Sequence, residues 1–112
     1  MINTLFIFYL CAIASTVVSE MTYPTAGTTW RVGQAVKASF KAGQSGETVN
    51  LFFNNDRSTS LGGGPITNGG TFQFIVPENA LSTTGGYSEL IAVHRLNRHL
   101  LDVDNVKVQV VH

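Results

Sequence analysis

Short runs in which apolar and polar residues alternate are the feature that most constrains how this chain folds. In residues 35–41, Val36, Ala38 and Phe40 share one face, and the opposite face is mostly polar. Glycine- and asparagine-rich turns separate such runs, and no window keeps helical spacing over about ten residues. The pattern therefore predicts an all-β domain. The other alternating runs are residues 48–54, 71–76 and 105–111.

The number and spacing of the strands indicate a sandwich. About six or seven short strands follow one another at intervals of about eight to twelve residues. We therefore predict a single antiparallel β-sandwich of the immunoglobulin or fibronectin-III type with about seven strands. A barrel of about five or six strands is the alternative architecture. A short edge strand is expected at residues 58–61, and Pro77 should begin one helical turn that ends near Leu81.

The N-terminus has the layout of a secretory signal peptide. Residues 5–18 are almost entirely apolar over about 14 residues, which is short for a membrane span of about 20. We predict a signal peptide at residues 1–19 and one domain at residues 20–112. The single cysteine, Cys11, lies in the predicted signal, so the domain must be stable without a disulfide.

Two cuts satisfy the small-residue rule for signal removal. Val17 and Ser19 allow a cut before Glu20, and Ala12 and Ala14 allow an earlier one. The first cut leads us to expect a mature chain that starts near Glu20.

Charge is balanced, with seven Lys and Arg against seven Asp and Glu. No basic stripe is interleaved with aromatic residues, so nucleic acid is not an expected partner. The C-terminus, residues 106–112, alternates and has no pattern for a lipid anchor. We expect a freely secreted, extracellular monomer without a membrane anchor.

Large aromatic residues should fill the core. Trp30, the only tryptophan, lies between two glycine turns in a short extended segment. Its alternative role is a platform on which a sugar ring stacks. Tyr87 follows a Gly-Gly turn at the position of the tyrosine corner in immunoglobulin-like sandwiches. The predicted core aromatic residues are Trp30, Phe40, Phe72, Phe74 and Tyr87.

Several short motifs follow one another in a fixed order along the chain, and the most specific is an opening of the form Pro-x-x-Gly-x-x-Trp-x-x-Gly-Gln. The residues of these motifs are Pro24, Gly27, Trp30, Gly33, Gln34, Val49, Asn50, Leu51, Pro77, Gly86 and Tyr87. Their order resembles the N-terminal domain of the fungal Kre/Knh cell-wall synthesis proteins and of related Ser/Thr-rich GPI-anchored surface proteins.

The resemblance implies an immunoglobulin-like sandwich, secretion and a role in the cell wall linked to β-1,6-glucan assembly. It implies no catalytic residues. Two features depart from the family: a Ser/Thr-rich stalk with an anchor tail is absent, and Phe40 stands where the family usually has Trp.

No set of residues matches a catalytic motif, so we expect a non-catalytic module without a cofactor or metal. His94 and His99, with Asp102 or Asp104, could meet at a metal, but their spacing fits no ligand motif. Solvated loop histidines are the alternative.

An exposed face for a ligand should include an aromatic ring and a polar partner. Tyr23, Phe52 and Arg57 are the candidates for ligand binding. The expected function is a secreted cell-wall module that binds β-glucan or takes part in wall organisation. The alternative is a secreted, effector-like module that binds an extracellular protein.

Overall fold

A computed structural model describes residues 19–112, and the predicted signal peptide lies outside the described residues except for Ser19. A 3-10 helix at Glu78–Ala80 follows Pro77, in agreement with the helical turn predicted there. Within this part of the chain, no helix is long and apolar enough to cross a membrane. The strands are β1 (Met21–Tyr23), β2 (Thr29–Arg31), β3 (Ala35–Phe40), β4 (Glu47–Phe53), β5 (Gly62–Pro65), β6 (Gly70–Ile75), β7 (Ser88–Leu96) and β8 (His99–Val111).

The eight strands of residues 19–112 form two sheets, which confirms the predicted β-sandwich rather than a closed barrel. One sheet has the order β1-β3-β6, and the other has the order β2-β8-β7-β4-β5. All neighbouring strands are antiparallel except β2 and β8, which pair in parallel through Thr29–Gln109, Trp30–Val110 and Arg31–Val111. The apolar inner faces of the two sheets meet and form the core.

The chain passes from the first sheet to the second between β1 and β2. Gly27 has φ +88°, a conformation that glycine adopts without a steric cost, and its N–H donates to the Lys107 carbonyl at 2.9 Å. This turn delivers Trp30 to the core, where its side chain is 2% exposed. Trp30 is therefore a core residue and not a sugar-stacking platform.

Aromatic residues pack edge to face through the core. Phe74 lies between Trp30 and Phe53, with ring centroids at 5.7 and 6.3 Å. Phe40 is buried and contacts Phe72, which is half-buried and packs against the core. Burial of each large apolar side chain contributes about 1.5–3 kcal/mol of transfer free energy. This packing takes the role that a disulfide has in many secreted sandwiches.

Tyr87 is not a core residue, contrary to the prediction, because its side chain is 58% exposed. Ser88 instead begins the inward set of β7, since it lies opposite the fully buried Val108. The run from Leu90 to Val93 is apolar on both faces, so alternation does not tell which face is inward. Leu90 points inward, and Ile91 lies on the outer face.

The edge strand predicted at residues 58–61 lies further along the chain: it is β5, which begins at Gly62. Gly62, Gly63 and Gly64 have φ values of 150°, 148° and 155°, a region that side chains disfavour. A Cβ on Gly63 would also overlap the Val49 carbonyl. The absence of side chains lets this strand pair closely with β4, and Pro65 ends it.

The β7–β8 hairpin brings polar residues of the two strands together. Its turn uses Asn97 and Arg98, both at positive φ (52° and 72°). Next to the turn, the pairing of β7 with β8 shifts in register between His94 and Arg95. β8 begins at His99, so the hairpin places Asp104 close to His94 on the inner side of the sheet.

Candidate functional site

A groove of about 280 Å³ lies beside Tyr23 on the three-stranded sheet; we call it the Tyr23 groove. Strands β1, β2, β3 and β6 supply its walls. Its lining residues are Tyr23, Trp30, Gln34, Ala35, Val36, Lys37 and Gln73.

Strand alternation explains why the groove has an apolar floor and polar walls. Its floor is formed by Val36 and Trp30, which belong to the core. Lys37 and Gln73 lie opposite each other on β3 and β6, and both point to solvent. Tyr23 is 38% exposed at one side of the groove.

The groove has the chemistry of a site for an uncharged polyhydroxyl ligand. The ring of Tyr23 offers an apolar face, and the Gln73 amide can donate and accept hydrogen bonds. The Gln34 Oε1 already accepts from the Arg31 N–H at 2.8 Å, so the amide nitrogen of Gln34 remains as a donor. Lys37 adds one donor, and among residues 19–112 no carboxylate lines the groove. An acid and a base facing each other, as glycoside hydrolysis needs, are therefore not present among its lining residues.

The other two predicted ligand-binding residues lie on the opposite sheet. Phe52 is half-buried on the outer face of β4, opposite Ile91. Arg57 lies in the β4–β5 loop, where its Nε and Nη2 donate to the Asn54 Oδ1 at 3.0 and 2.7 Å. Tyr23, Phe52 and Arg57 therefore do not form one binding face.

A second groove surrounds the exposed Tyr87; we call it the Tyr87 groove. It measures about 210 Å³ and lies at the end of the five-stranded sheet where β4 ends and β7 begins. Its lining residues are Asn54, Asn55, Leu81, Ser82, Thr83, Tyr87, Ser88, Glu89 and Lys107. Sequence reasoning missed this groove because Tyr87 was assigned to the core.

Three ionisable side chains, Glu47, His94 and Asp104, form a buried charged cluster between the sheets. His94 Nδ1 lies 3.1 Å from the Glu47 Oε2, and its Nε2 lies 2.9 Å from the Asp104 Oδ2. Each ring nitrogen of His94 thus lies within hydrogen-bond distance of one carboxylate oxygen. The Phe40 ring lies edge to face against His94, with centroids 5.7 Å apart.

Backbone groups complete the hydrogen bonds of this cluster. The N–H groups of Ser19 and Gln44 donate to Glu47 at 3.2 and 2.9 Å, and the N–H of Met21 donates to Asp104 at 3.3 Å. In the described part of the chain, no buried side-chain nitrogen or oxygen lacks a partner. Because Glu47, His94 and Asp104 all lie on the five-stranded sheet, these hydrogen bonds attach the N-terminal strand β1 of the three-stranded sheet to it.

The side chains of Glu47 and His94 are fully buried, whereas that of Asp104 is 29% exposed and lines a groove of about 270 Å³ beside β1. His99 is exposed at the start of β8 and does not join the buried charged cluster. Across residues 19–112, no group of three or more His, Cys, Asp or Glu side chains is arranged to hold a metal ion. The buried charged cluster joins the N-terminal strand to the five-stranded sheet.

The β4–β5 loop is held by an exposed carboxylate. Asp56 Oδ1 accepts from the hydroxyl and N–H of Ser58 at 2.6 and 3.1 Å, and Oδ2 accepts from the Asn79 amide at 2.7 Å. These hydrogen bonds, first of all the one from the Ser58 side chain, lower the pKa of Asp56 below its usual value of 3.8. The loop next to the Tyr87 groove is thus tied to the 3-10 helix.

The sandwich is similar to a solved structure of the fibronectin(III)-like modules of Clostridium thermocellum CbhA. The TM-score is 0.54 at 16% sequence identity, and the match covers 84% of this chain and 96% of that chain. At this identity the likeness shows the fold alone, which is fibronectin-III-like. No family model matches the sequence, and no curated protein does so either.

Proposed function

We propose that this protein is a non-catalytic, secreted module of the fungal cell wall that binds β-glucan in the Tyr23 groove. The observation that carries the proposal is an exposed tyrosine ring beside two amide side chains, in a groove without carboxylates. Pyranose rings present C–H groups that stack on an aromatic face and hydroxyls that pair with amides.

Two further observations support this assignment. The fibronectin-III-like fold also occurs in the CbhA modules, and the match covers 96% of that chain. The opening motif around Trp30 resembles the Kre/Knh domain, whose members are linked to β-1,6-glucan assembly. The resemblance is the reason for proposing an extracellular, non-catalytic module, and the location outside the cell is part of the proposal.

A pull-down on insoluble β-1,3/1,6-glucan tests the proposal, with chitin and cellulose as other polysaccharides. Wild-type protein should bind the glucan, and Tyr23→Ala and Gln73→Ala should each weaken binding about tenfold or more, because one stacking or amide contact is lost. Ile75→Ala is the matched control, since Ile75 is 59% exposed on the same sheet and does not line the groove. Unchanged glucan binding by Tyr23→Ala and Gln73→Ala would overturn the site.

A second candidate function is a protein-binding module. The observation that favours it is an exposed apolar pair on β8, where Leu100 is 63% and Val103 is 45% exposed. Two substitutions, Leu100→Asp and Val103→Asp, should abolish binding to a protein partner and leave glucan binding intact. Loss of glucan binding in these variants would contradict a separate protein-binding surface.

A further inference from the structure

The Tyr87 groove contains an aromatic ring that the fold does not need. The side chain of Tyr87 is more exposed than that of Tyr23, 58% against 38%, and it packs in no aromatic pair among residues 19–112. The adjacent Ser88 takes the inward position and donates its hydroxyl to the Ala80 carbonyl at 2.5 Å. Tyr87 is thus held at the rim by its neighbours.

The polar groups around Tyr87 are available to a ligand. Glu89 and Lys107 lie opposite each other on β7 and β8, yet neither belongs to an ion pair among the described residues. A carboxylate accepts from sugar hydroxyls, and an ammonium donates to them. Asn54 adds an amide at the groove wall, and its Oδ1 is held in place by Arg57.

We infer that the Tyr87 groove is a second binding site for a glycan chain, which makes the protein bivalent. Its ring, amide, carboxylate and ammonium match a polyhydroxyl ligand of the same class as in the Tyr23 groove. The inference rests on the proposed glucan binding. Because the two grooves lie on opposite sheets, one molecule would engage two glucan chains and cross-link them.

Cross-linking and binding are measured separately to test this inference. Turbidity of a soluble, high-molecular-mass β-1,3/1,6-glucan reports cross-linking, and affinity electrophoresis in the same glucan reports binding. The variants are Tyr23→Ala, Tyr87→Ala, the double variant and the control Ile75→Ala. Circular dichroism confirms that each is folded, and light scattering after size exclusion confirms that each is monomeric.

Wild-type protein and Ile75→Ala should make the glucan solution turbid. Each single tyrosine variant should still bind but lose cross-linking, with an apparent affinity about tenfold to hundredfold weaker, because avidity is lost. The double variant should not bind. Tyr87→Phe, which keeps the ring, should retain cross-linking.

The outcomes distinguish the two proposals. If Tyr23→Ala abolishes binding while Tyr87→Ala cross-links like the wild type, the glucan-binding function stands and the second site is overturned. If wild-type protein does not bind glucan, the proposed function fails, and bivalency fails with it. Cross-linking by the double variant would place the binding sites elsewhere and overturn both.

Ser19 carries an independent inference about processing of the chain. Its side chain is 2% exposed, its N–H donates to the buried Glu47, and its hydroxyl donates to the Lys41 carbonyl at 2.6 Å. Gly43 leaves room for this arrangement, because a Cβ there would lie 2.5 Å from the Glu47 Oε1 and 3.0 Å from the Ser19 Cβ. The site around Glu47 is therefore built to include Ser19.

A cut before Glu20 would remove one of the partners of a fully buried carboxylate and leave a space where Ser19 packs. We propose that the mature chain retains Ser19, and that the signal is removed between Ala14 and Ser15. Of the two cuts that the small-residue rule allows, only the one after Ala14 keeps Ser19 in the mature chain. This inference rests on the proposed secretion.

Intact mass and N-terminal sequencing of protein secreted from a fungal host test this proposal. A mature N-terminus at Ser15 is expected, and one at Glu20 would overturn the proposal. In a parallel test, a chain that starts at Ser15 should have a higher urea midpoint than one that starts at Glu20. Equal midpoints would show that Ser19 is not part of the stable fold. The variant Ser19→Ala, which keeps the N–H, should lie between them.

Discussion

The two ends of the sandwich interior are filled in opposite ways. At the Phe53 end of β4, Phe74 packs edge to face against Trp30 and Phe53. At the Glu47 end, the buried charged cluster occupies the space between the sheets. The apolar end is stabilised by removal of surface from water, which depends on buried area. The charged end is stable only while every polar group keeps its partner.

Trp30→Ala should cause the largest loss of stability, about 4 kcal/mol, because it removes the largest buried side chain and leaves a cavity. Urea denaturation followed by circular dichroism measures the loss. Tyr87→Ala removes an exposed aromatic ring and should change stability by less than about 0.5 kcal/mol. If Trp30→Ala and Tyr87→Ala lose the same stability, the buried indole does not stabilise the apolar end.

Glu47→Gln and His94→Gln test whether the charged end behaves as one unit. Each should cost about 3 kcal/mol, since each leaves a buried partner without its counterpart. The double variant should cost at least 1 kcal/mol less than the sum of the single losses. Trp30 fluorescence during urea denaturation reports all three, because Trp30 is the only tryptophan. Additive losses would contradict the coupling.

Gly43→Ala examines how tightly the charged end is packed. The added methyl group would press on the Glu47 carboxylate, which is held by three partners, so a loss of about 1–3 kcal/mol is expected. The matched control is Ser45→Ala, an exposed change in the same loop. If Gly43→Ala and Ser45→Ala denature at the same urea concentration, the Glu47 carboxylate can shift away from the added methyl group, and the charged end is not tightly packed there.

Asp56→Asn should cause the smallest loss of stability of these variants, because Asp56 is a surface carboxylate, whereas Glu47 is fully buried. The pKa of Asp56 is lower in the folded state than the usual 3.8, so its stabilising effect is full above that value. The effect is lost as the pH falls through the lower folded pKa. The stability difference between wild type and Asp56→Asn should therefore shrink between pH 7 and about pH 3. If the stability difference between wild type and Asp56→Asn grows as the pH falls, the pKa of Asp56 is raised in the folded state and not lowered.

The strands were largely predictable, and the exceptions have physical causes. Alternation located β3 and β6 well, because each has one buried and one exposed face. It assigned Tyr87 to the wrong face, because β7 is buried on both sides around Ile91. It placed an edge strand before Gly62, because a glycine strand has no side chains to alternate.

The candidate sites were less predictable than the fold. Tyr23 was selected as an exposed aromatic residue, but two other residues of its groove come from distant parts of the chain: Gln34 precedes β3, and Gln73 lies in β6. The sequence placed His94 near Asp104 as a possible metal ligand. Its other hydrogen-bond partner, Glu47, lies 47 residues away and was not predicted. Local spacing carries no signal for such a contact.

What the amino-acid order alone determined is the all-β sandwich, because a two-residue apolar period has only a strand as its solution and strands must bury one face. What only the tertiary structure decided is which polar residues are buried and which aromatic residues reach solvent. Those choices depend on strand register and on pairing between distant segments. A shift by one residue exchanges the two faces of a strand, as Tyr87 and Ser88 show.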